Sequence, residues 1–331
     1  MKILVIRLSS LGDIILTQPI MQRLHEVFPD AELHFLTKEE YRMIPQFFGI
    51  PMHTVSYKKT IGFHLSLLTS RYDYVFDLHG KFSSILTRWL CIGAKEFVYN
   101  KQRGLRKKII RHNSNHNINS TLDLYQSALL KASKKVKNIS LSEGLNNPKL
   151  YISEADIDNM QKLYPKPEGK KVIALFPGAT HFAKMYPLES YIRMVQSAGS
   201  IYHFWLFGSP PEMNLTKTIH AASKSNSTDF GGKFSIPDLI KIIAVSDAVI
   251  TNDSGPMHIA AALNKPQVAI FGSTHPRLGF KPLNDNAKVI CKDISCQPCT
   301  LHGGKKCPQR HFACMLSIEP EEILSILDAI A

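Results

Sequence analysis

The sequence contains no apolar run long enough to span a membrane. Its longest runs are about 6 residues, against the roughly 20 that a helical span requires. It also lacks a GxGxxG stretch: Gly12 stands alone in the turn after the first apolar segment, which excludes a dinucleotide fingerprint and argues against a nucleotide-sugar epimerase or dehydrogenase. Neither an aromatic RNP motif nor a Cys2His2 finger is present. Acidic residues are scarce, 27 against 40 Lys and Arg, leaving a net charge of +13. That excess implies an anionic partner, with nucleic acid, anionic lipid and phosphorylated glycan as candidates. The opening MKILVIRLSS has a basic residue and an apolar run, but the run is short and no cleavage site follows before Gly12-Asp13. It reads as a first strand rather than a signal peptide, and a cytoplasmic protein is expected.

At 331 residues, the chain has length for two domains of about 150 residues each. Polar composition from Lys134 to Pro148 and the punctuation Pro165-Lys166-Pro167-Glu168-Gly169 place a boundary between about residues 148 and 170. The expected domains are 1–160 and 161–331.

The most informative stretch is Ala248 to Gly272, AVITNDSGPMHIAAALNKPQVAIFG. Ala248–Thr251 is a short, β-branched apolar run and reads as a buried strand. Asn252 to Gly255 is turn chemistry, and Pro256 suits the first turn of a helix running to Leu263. Gln267–Phe271 is the next strand. This is a βαβ unit, so the sheet is parallel, and ligands of such sheets bind beyond the carboxyl ends of the strands. A helix N-terminus there offers free N–H groups and a positive dipole, which suit phosphate. Asp253 or Ser254 serves equally as a plain helix cap on local chemistry alone.

Other segments repeat the pattern. Lys2–Leu8 is a strand, Ser9 to Asp13 turns the chain, and a helix is expected over Ile14–Phe28 despite Pro19. Asp13 either complements that helix's dipole or acts on a ligand. Strands are read at Ala31–Thr37, Val75–Leu78, Phe97–Tyr99, Val172–Phe176 and Tyr202–Phe207. Lys101 to Arg111 carries Arg103, Arg106 and Lys107 with no acid among them. It is either a solvated helix face or a binding patch for phosphate and carboxylate. Cys296, Cys299, Cys307 and Cys314 are spaced as a structural zinc site allows, or are reduced thiols packed in a loop. Cys91 reads as a core residue.

Three motifs in order resemble glycosyltransferase family 9, the ADP-heptose:lipopolysaccharide heptosyltransferases: VIRLSSLGDIILTQPI, FPGATHFAKMYP and TNDSGPMHIAAALNKPQVAIFG. The resemblance covers essentially the whole chain. It implies an α/β protein with the GT-B fold, two Rossmann-like parallel-sheet domains facing across a cleft, the first binding acceptor and the second a nucleotide-sugar donor. It implies an inverting transfer of heptose from ADP-heptose to the lipid A–Kdo inner core of lipopolysaccharide, with Asp13 as general base. Thr180, Lys184, Asp253, Ser254, Gly255, Pro256 and His258 fall at donor positions. Ser10, His79, Lys81, Arg103, Arg106 and Lys107 are assigned to the acceptor, with His79 standing where the family usually has Gln. No cofactor is implied for catalysis, so structural zinc at the four cysteines is the one metal expectation. The implied place of work is the inner face of the cytoplasmic membrane, reached as a peripheral protein. Another nucleotide-activated sugar, or a basic nucleic-acid-binding protein, are the competing readings.

Overall fold

The computed structural model describes residues 1–111, 116–136, 144–292 and 294–331; the polar stretch from Lys134 to Pro148 lies partly outside these. The chain forms two units, one of Met1–Gln102 with Ser120–Tyr151, the other of Arg103–Asn119 with Ile152–Ala331.

In the first unit the strands are β1 (Lys2–Ile6), β2 (Glu32–Thr37), β3 (His53–Ser56), β4 (Tyr74–Asp77) and β5 (Lys95–Val98). They are ordered β3-β2-β1-β4-β5 and every pairing is parallel. Continuous apolar sequence in β1 fits a strand covered on both faces. Helices α1 (Leu11–Ile15), α2 (Gln18–Val27), α3 (Ile61–Thr69) and α4 (Phe82–Leu90) follow the strand ends. Leu4, Ile6, Leu36 and Val75 of the sheet pack with Phe63 and Leu67 of α3. Cys91 joins this core, as expected.

The single helix expected over Ile14–Phe28 is instead α1 and α2. Pro19 has no N–H, and its ring would strike the carbonyl of Ile15 in a continuous helix. The chain restarts at Thr17, whose carbonyl accepts from Ile20 N and Met21 N while its hydroxyl donates to Ile14 O at 2.6 Å. Pro19 then occupies the first turn of α2.

Next in the chain come α5 (Arg103–Ile110), which belongs to the second unit, and α6 (Thr121–Lys135), which belongs to the first. The second unit then runs α7 (Glu154–Leu163), β6 (Lys171–Phe176), α8 (Leu188–Ser197), β7 (Tyr202–Leu206), α9 (Met213–Ala222), β8 (Ser227–Asp229), α10 (Ile236–Val245), β9 (Ala248–Asn252), α11 (Gly255–Ala262), β10 (Gln267–Phe271), β11 (Ala287–Cys291), α12 (Ala313–Leu316) and α13 (Pro320–Ile330). Its strands lie in the order β11-β10-β9-β6-β7-β8, all parallel. The division differs from 1–160 and 161–331 in two places. Helix α7 belongs to the second unit, where Asp156 pairs with Lys241 of α10 at 2.6 Å. The 103–119 segment is also there, because Ile118 N donates to Arg277 O at 2.9 Å and Arg106 packs on the same region.

Asp77 closes β4 and is fully buried. Its Oδ1 accepts from the N–H groups of His79 (2.8 Å) and Gly80 (2.7 Å), and its Oδ2 from Ser84 Oγ (3.0 Å). Arg88 Nε lies 3.0 Å from Oδ2 and continues to Glu96. Removing one partner of a buried pair strands the other charge, at about 3–5 kcal/mol. Asp77→Ala should therefore lower the unfolding free energy by about 3 kcal/mol or more in urea titration. A loss under about 1 kcal/mol would show that water replaces the carboxylate at no cost.

Candidate active site

Parallel strands deliver all their carboxyl-end loops to one edge of each sheet. In the first unit that edge gathers Arg7, Ser10 and Asp13 after β1, His79 to Lys81 after β4, and Tyr99 and Lys101 after β5. Arg7 Nη2 lies 2.5 Å from Asp13 Oδ2, and its Nη1 donates to Leu78 O at 2.6 Å. Ser10 donates to the same oxygen from N (3.2 Å) and Oγ (2.8 Å), closing a capping box on α1. Tyr125, from α6, donates its hydroxyl to Asp13 Oδ1 at 3.2 Å, with the Arg7 guanidinium 5.5 Å above its ring. Burial pushes the Tyr125 hydroxyl well above its usual range, so it is a donor at physiological pH. Asp13 is thus anchored by a buried guanidinium while its side chain stays partly exposed.

His79 is buried, and its Nδ1 has no hydrogen-bond partner among the described residues. Burial, then the nearby charges of Arg7, Lys81 and Lys101, lower its pKa to about 3. It is a neutral imidazole among cations. Gly80 has φ +57° and a Cβ there would come within 2.8 Å of Lys101 Cε. The positive φ favours glycine, and Lys101 Nζ reaches over it to Gly80 O at 2.8 Å. Lys81 is exposed at the start of α4.

In the second unit, Lys184 Nζ lies 2.7 Å from Asp253 Oδ2, and Thr274 Oγ1 donates to the same oxygen at 2.6 Å. Ser254 is the N-cap of α11, and its Oγ has no partner among the described residues. Gly255 and Pro256 form the first turn of that helix, His258 is buried on it, and Thr180 is exposed in the loop after β6. The geometry depends on Asn252. Its Nδ2 donates to the carbonyls of Pro177 (2.8 Å) and Gly178 (3.2 Å), while its Oδ1 accepts from Tyr186 N (3.0 Å) and Tyr191 Oη (3.1 Å). One amide therefore ties the loop after β6 to the end of β9.

One group differs from expectation. Arg106 is buried in the second unit, not on the first: its Nη2 donates to Leu278 O at 3.4 Å and its guanidinium lies 5.1 Å from the Phe280 ring centroid. Arg103 and Lys107 are exposed on the same helix. Among the described residues no group of three or more His, Cys, Asp and Glu is placed to hold a metal ion, so the described geometry gives no support to zinc at Cys296, Cys299, Cys307 and Cys314. Cys314 packs in the hydrophobic core beside Met315, and Cys299 Sγ donates to Cys296 O. Burial raises both thiols, to about 11 for Cys314 and about 12 for Cys299. The segment braces the loops after β6 and β10: Ala183 N donates to Gly304 O at 3.0 Å, Cys299 N to Ser273 O at 2.9 Å, and Gln297 Nε2 to Thr274 O at 3.1 Å.

Arg7, Tyr125, Asn252, Thr274 and Gln297 are the residues that sequence reasoning missed. Arg7 and Asn252 stood inside recognised motifs; Tyr125 and Gln297 carried no local signal.

Two parallel-sheet α/β units with polar clusters at their strand ends match the GT-B architecture. The sequence profile of glycosyltransferase family 9 (heptosyltransferase) matches residues 62–308, and the chain belongs to that family. It is 25% identical to the lipooligosaccharide heptosyltransferase 2 of Campylobacter jejuni, over 98% of this chain and 96% of that one. The fold is shared with E. coli ADP-heptose lps heptosyltransferase II, at TM-score 0.77 and 23% identity over 100% and 98% of the chains. It is shared also with E. coli heptosyltransferase WaaC bound to ADP-2-deoxy-2-fluoro heptose, at TM-score 0.69 and 16% identity, covering both chains fully.

A buried histidine held neutral makes stability depend on pH with a definite sign. Above about pH 6.5 both folded and unfolded states carry it neutral; below that the unfolded state alone gains the proton, until the folded pKa near 3 is reached. Stability is therefore lost as pH falls through this window. His79→Gln should shrink the loss between pH 7 and pH 4.5 by up to about 2 kcal/mol, read from urea titrations at both pH values. Parallel losses in the two proteins would mean that His79 takes up a proton in the folded state.

Proposed function

We propose that the chain transfers heptose, with inversion, from ADP-heptose to the lipid A–Kdo inner core of lipopolysaccharide, working as a peripheral protein at the inner face of the cytoplasmic membrane. The observation that carries the reading is the Lys184–Asp253–Thr274 cluster beside the N-terminus of α11, where the Ser254 hydroxyl has no partner among the described residues. An unused hydroxyl, helix N–H groups and a lysine suit a diphosphate. The names of the relatives, and the ADP-heptose analogue carried by a protein of the same fold, support that donor.

In the proposed step, the acceptor hydroxyl attacks the anomeric carbon from the face opposite the diphosphate. Its proton passes to the Asp13 carboxylate as the new C–O bond forms. The bond from carbon to diphosphate oxygen breaks, and its electron pair leaves with ADP. Lys184 Nζ has three protons, and the Asp253 contact uses one, so the others remain for phosphate oxygens. Asp253 orients donor hydroxyls, Thr180 lies in the same set of loops, and His258 supports the helix. On the acceptor side, Ser10 holds Asp13, neutral His79 offers a hydrogen bond, and Lys81 meets acidic groups; Arg103 and Lys107 lie on α5 of the second unit and do not belong to this set. Arg106 is a packing residue in this account.

Asp13→Asn keeps the size of the side chain and removes its basicity. It should bind ADP-heptose as the wild type does in calorimetry and lose transfer by about 10²-fold or more. Turnover within threefold of wild type would make Asp13 a helix-terminus residue only.

With a lysine and a helix N-terminus on the leaving group, transfer should persist in EDTA. Activity that vanishes with chelator and returns with magnesium or manganese would overturn the leaving-group arrangement.

A further inference from the structure

Helix α4 is inverted in polarity. The residues it turns inward are Ser84 and Thr87, both fully buried, and Ser84 Oγ is spent on Asp77. The face opposite them carries Phe82, Ile85, Leu86 and Trp89, at i, i+3, i+4 and i+7; Phe82 and Trp89 are exposed, Ile85 and Leu86 half-buried, and Leu90 at the end of the helix packs on the core. Phe82 is 78% exposed and Trp89 68%. An amphipathic helix on a sheet ordinarily does the reverse.

The neighbouring helix α3, in contact with α4, extends this surface. It buries Phe63 and Leu67 against the sheet, yet leaves Ile61 79% and Leu65 55% exposed. Ile92, in the turn after α4, is 72% exposed. Single exposed apolar residues need no explanation, but a contiguous group on two touching helices marks an interaction surface.

The rim identifies the partner. Exposed Lys58 and Lys59 precede α3, Arg71 follows it, Lys81 precedes α4 and Lys95 follows it. No acid lies between Lys58 and Arg71, or between Leu78 and Lys95. Aromatic and aliphatic side chains bordered by lysines match the interface of an anionic bilayer, where rings sit at headgroup depth and cations meet lipid phosphates. A second copy of the same surface would set these like charges against one another.

We propose that the outward face of α3 and α4, with Phe82 and Trp89 as its aromatic anchors and Lys58 and Lys59 on its rim, docks the protein on anionic phospholipid. The proposal rests on the membrane-acceptor reading for its purpose, but not for its observations. Phe82 is three residues from His79, so docking here would bring the edge that carries Asp13 to the lipid surface.

The chain supplies its own reporter. Of its two tryptophans, Trp205 is 2% exposed inside β7, so solvent-sensitive emission comes from Trp89. The protein is mixed with vesicles of phosphatidylethanolamine and phosphatidylglycerol, without donor or acceptor, and followed by emission and flotation. Expected are a blue shift and flotation with these vesicles, both weakened on neutral phosphatidylcholine and by salt. The combined Ile61→Ser, Phe82→Ser variant should bind at least about tenfold more weakly, since burial of one large apolar side chain is worth that much. Lys58→Glu, Lys59→Glu should lose the preference for anionic lipid. Absence of any shift or flotation, binding unchanged in both variants, or a shift that follows protein concentration without vesicles would each overturn the proposal. Because no sugar is present, failed transfer chemistry leaves this result standing, and failed docking leaves Asp13 and ADP-heptose to be judged separately.

Discussion

The structure depends on how a parallel sheet ends. Every strand stops at the same edge, and each stop leaves backbone N–H and C=O groups that the ladder no longer pairs. If that edge is to be a binding site, its loops must be held without filling it. In both units a single buried side chain at the end of a strand next to β1 or β6 does this. Asp77 accepts from two loop N–H groups, while Asn252 donates to loop carbonyls and accepts from Tyr186 N. The residue types follow from the task. A carboxylate only accepts, so it suits a turn that presents N–H groups; an amide does both, so it can join two loops of opposite need. Asp77 then requires a cation, which Arg88 supplies, whereas neutral Asn252 requires none.

The parts legible in the sequence were those written in local chemistry. β-branched runs gave strands, and Asn252 to Pro256 gave a turn and a helix start, because turns and caps are set by neighbours in sequence. Asp13, Lys184 and Asp253 were reachable only through motifs, and the distances between the last two belong to the folded chain. What escaped was long-range. Tyr125 reaches Asp13 across 112 positions, and nothing in TLDLYQSALL separates a core tyrosine from a buried hydrogen-bond donor. Basic residues 103 to 111 looked alike, yet helical spacing turns Arg106 inward onto Phe280 while Arg103 and Lys107 remain outside. Cysteine spacing likewise permits zinc without requiring it; the fold spends that segment on backbone contacts to Ala183 and Ser273.

Charge is distributed by burial rather than by count. The +13 excess is mostly exposed lysine and arginine, screened and individually weak. Two buried or half-buried guanidinium groups have specific duties. Arg7 is paired with Asp13 and bonded to Leu78 O, and Arg88 is paired with Asp77. A buried guanidinium is the stronger choice in such places, because its planar fork satisfies a carboxylate and a carbonyl at once and cannot lose its proton.

The inversion of α4 connects these constraints. Asp77 needs polar partners on the helix that follows β4, and Ser84 is one of them, so the inward face of α4 is partly committed to hydrogen bonding rather than to apolar packing. A helix so committed could have been wholly polar on its other face, as solvent would favour. Instead its outer face carries Phe82 and Trp89, residues that gain nothing from water. The folded chain alone does not stabilise that choice. On the docking proposal, the outer face gains by meeting an apolar medium while the inner face keeps Asp77, Gly80 and His79 in place. The same short helix would then serve two interfaces, one holding the strand-end loop and one facing lipid.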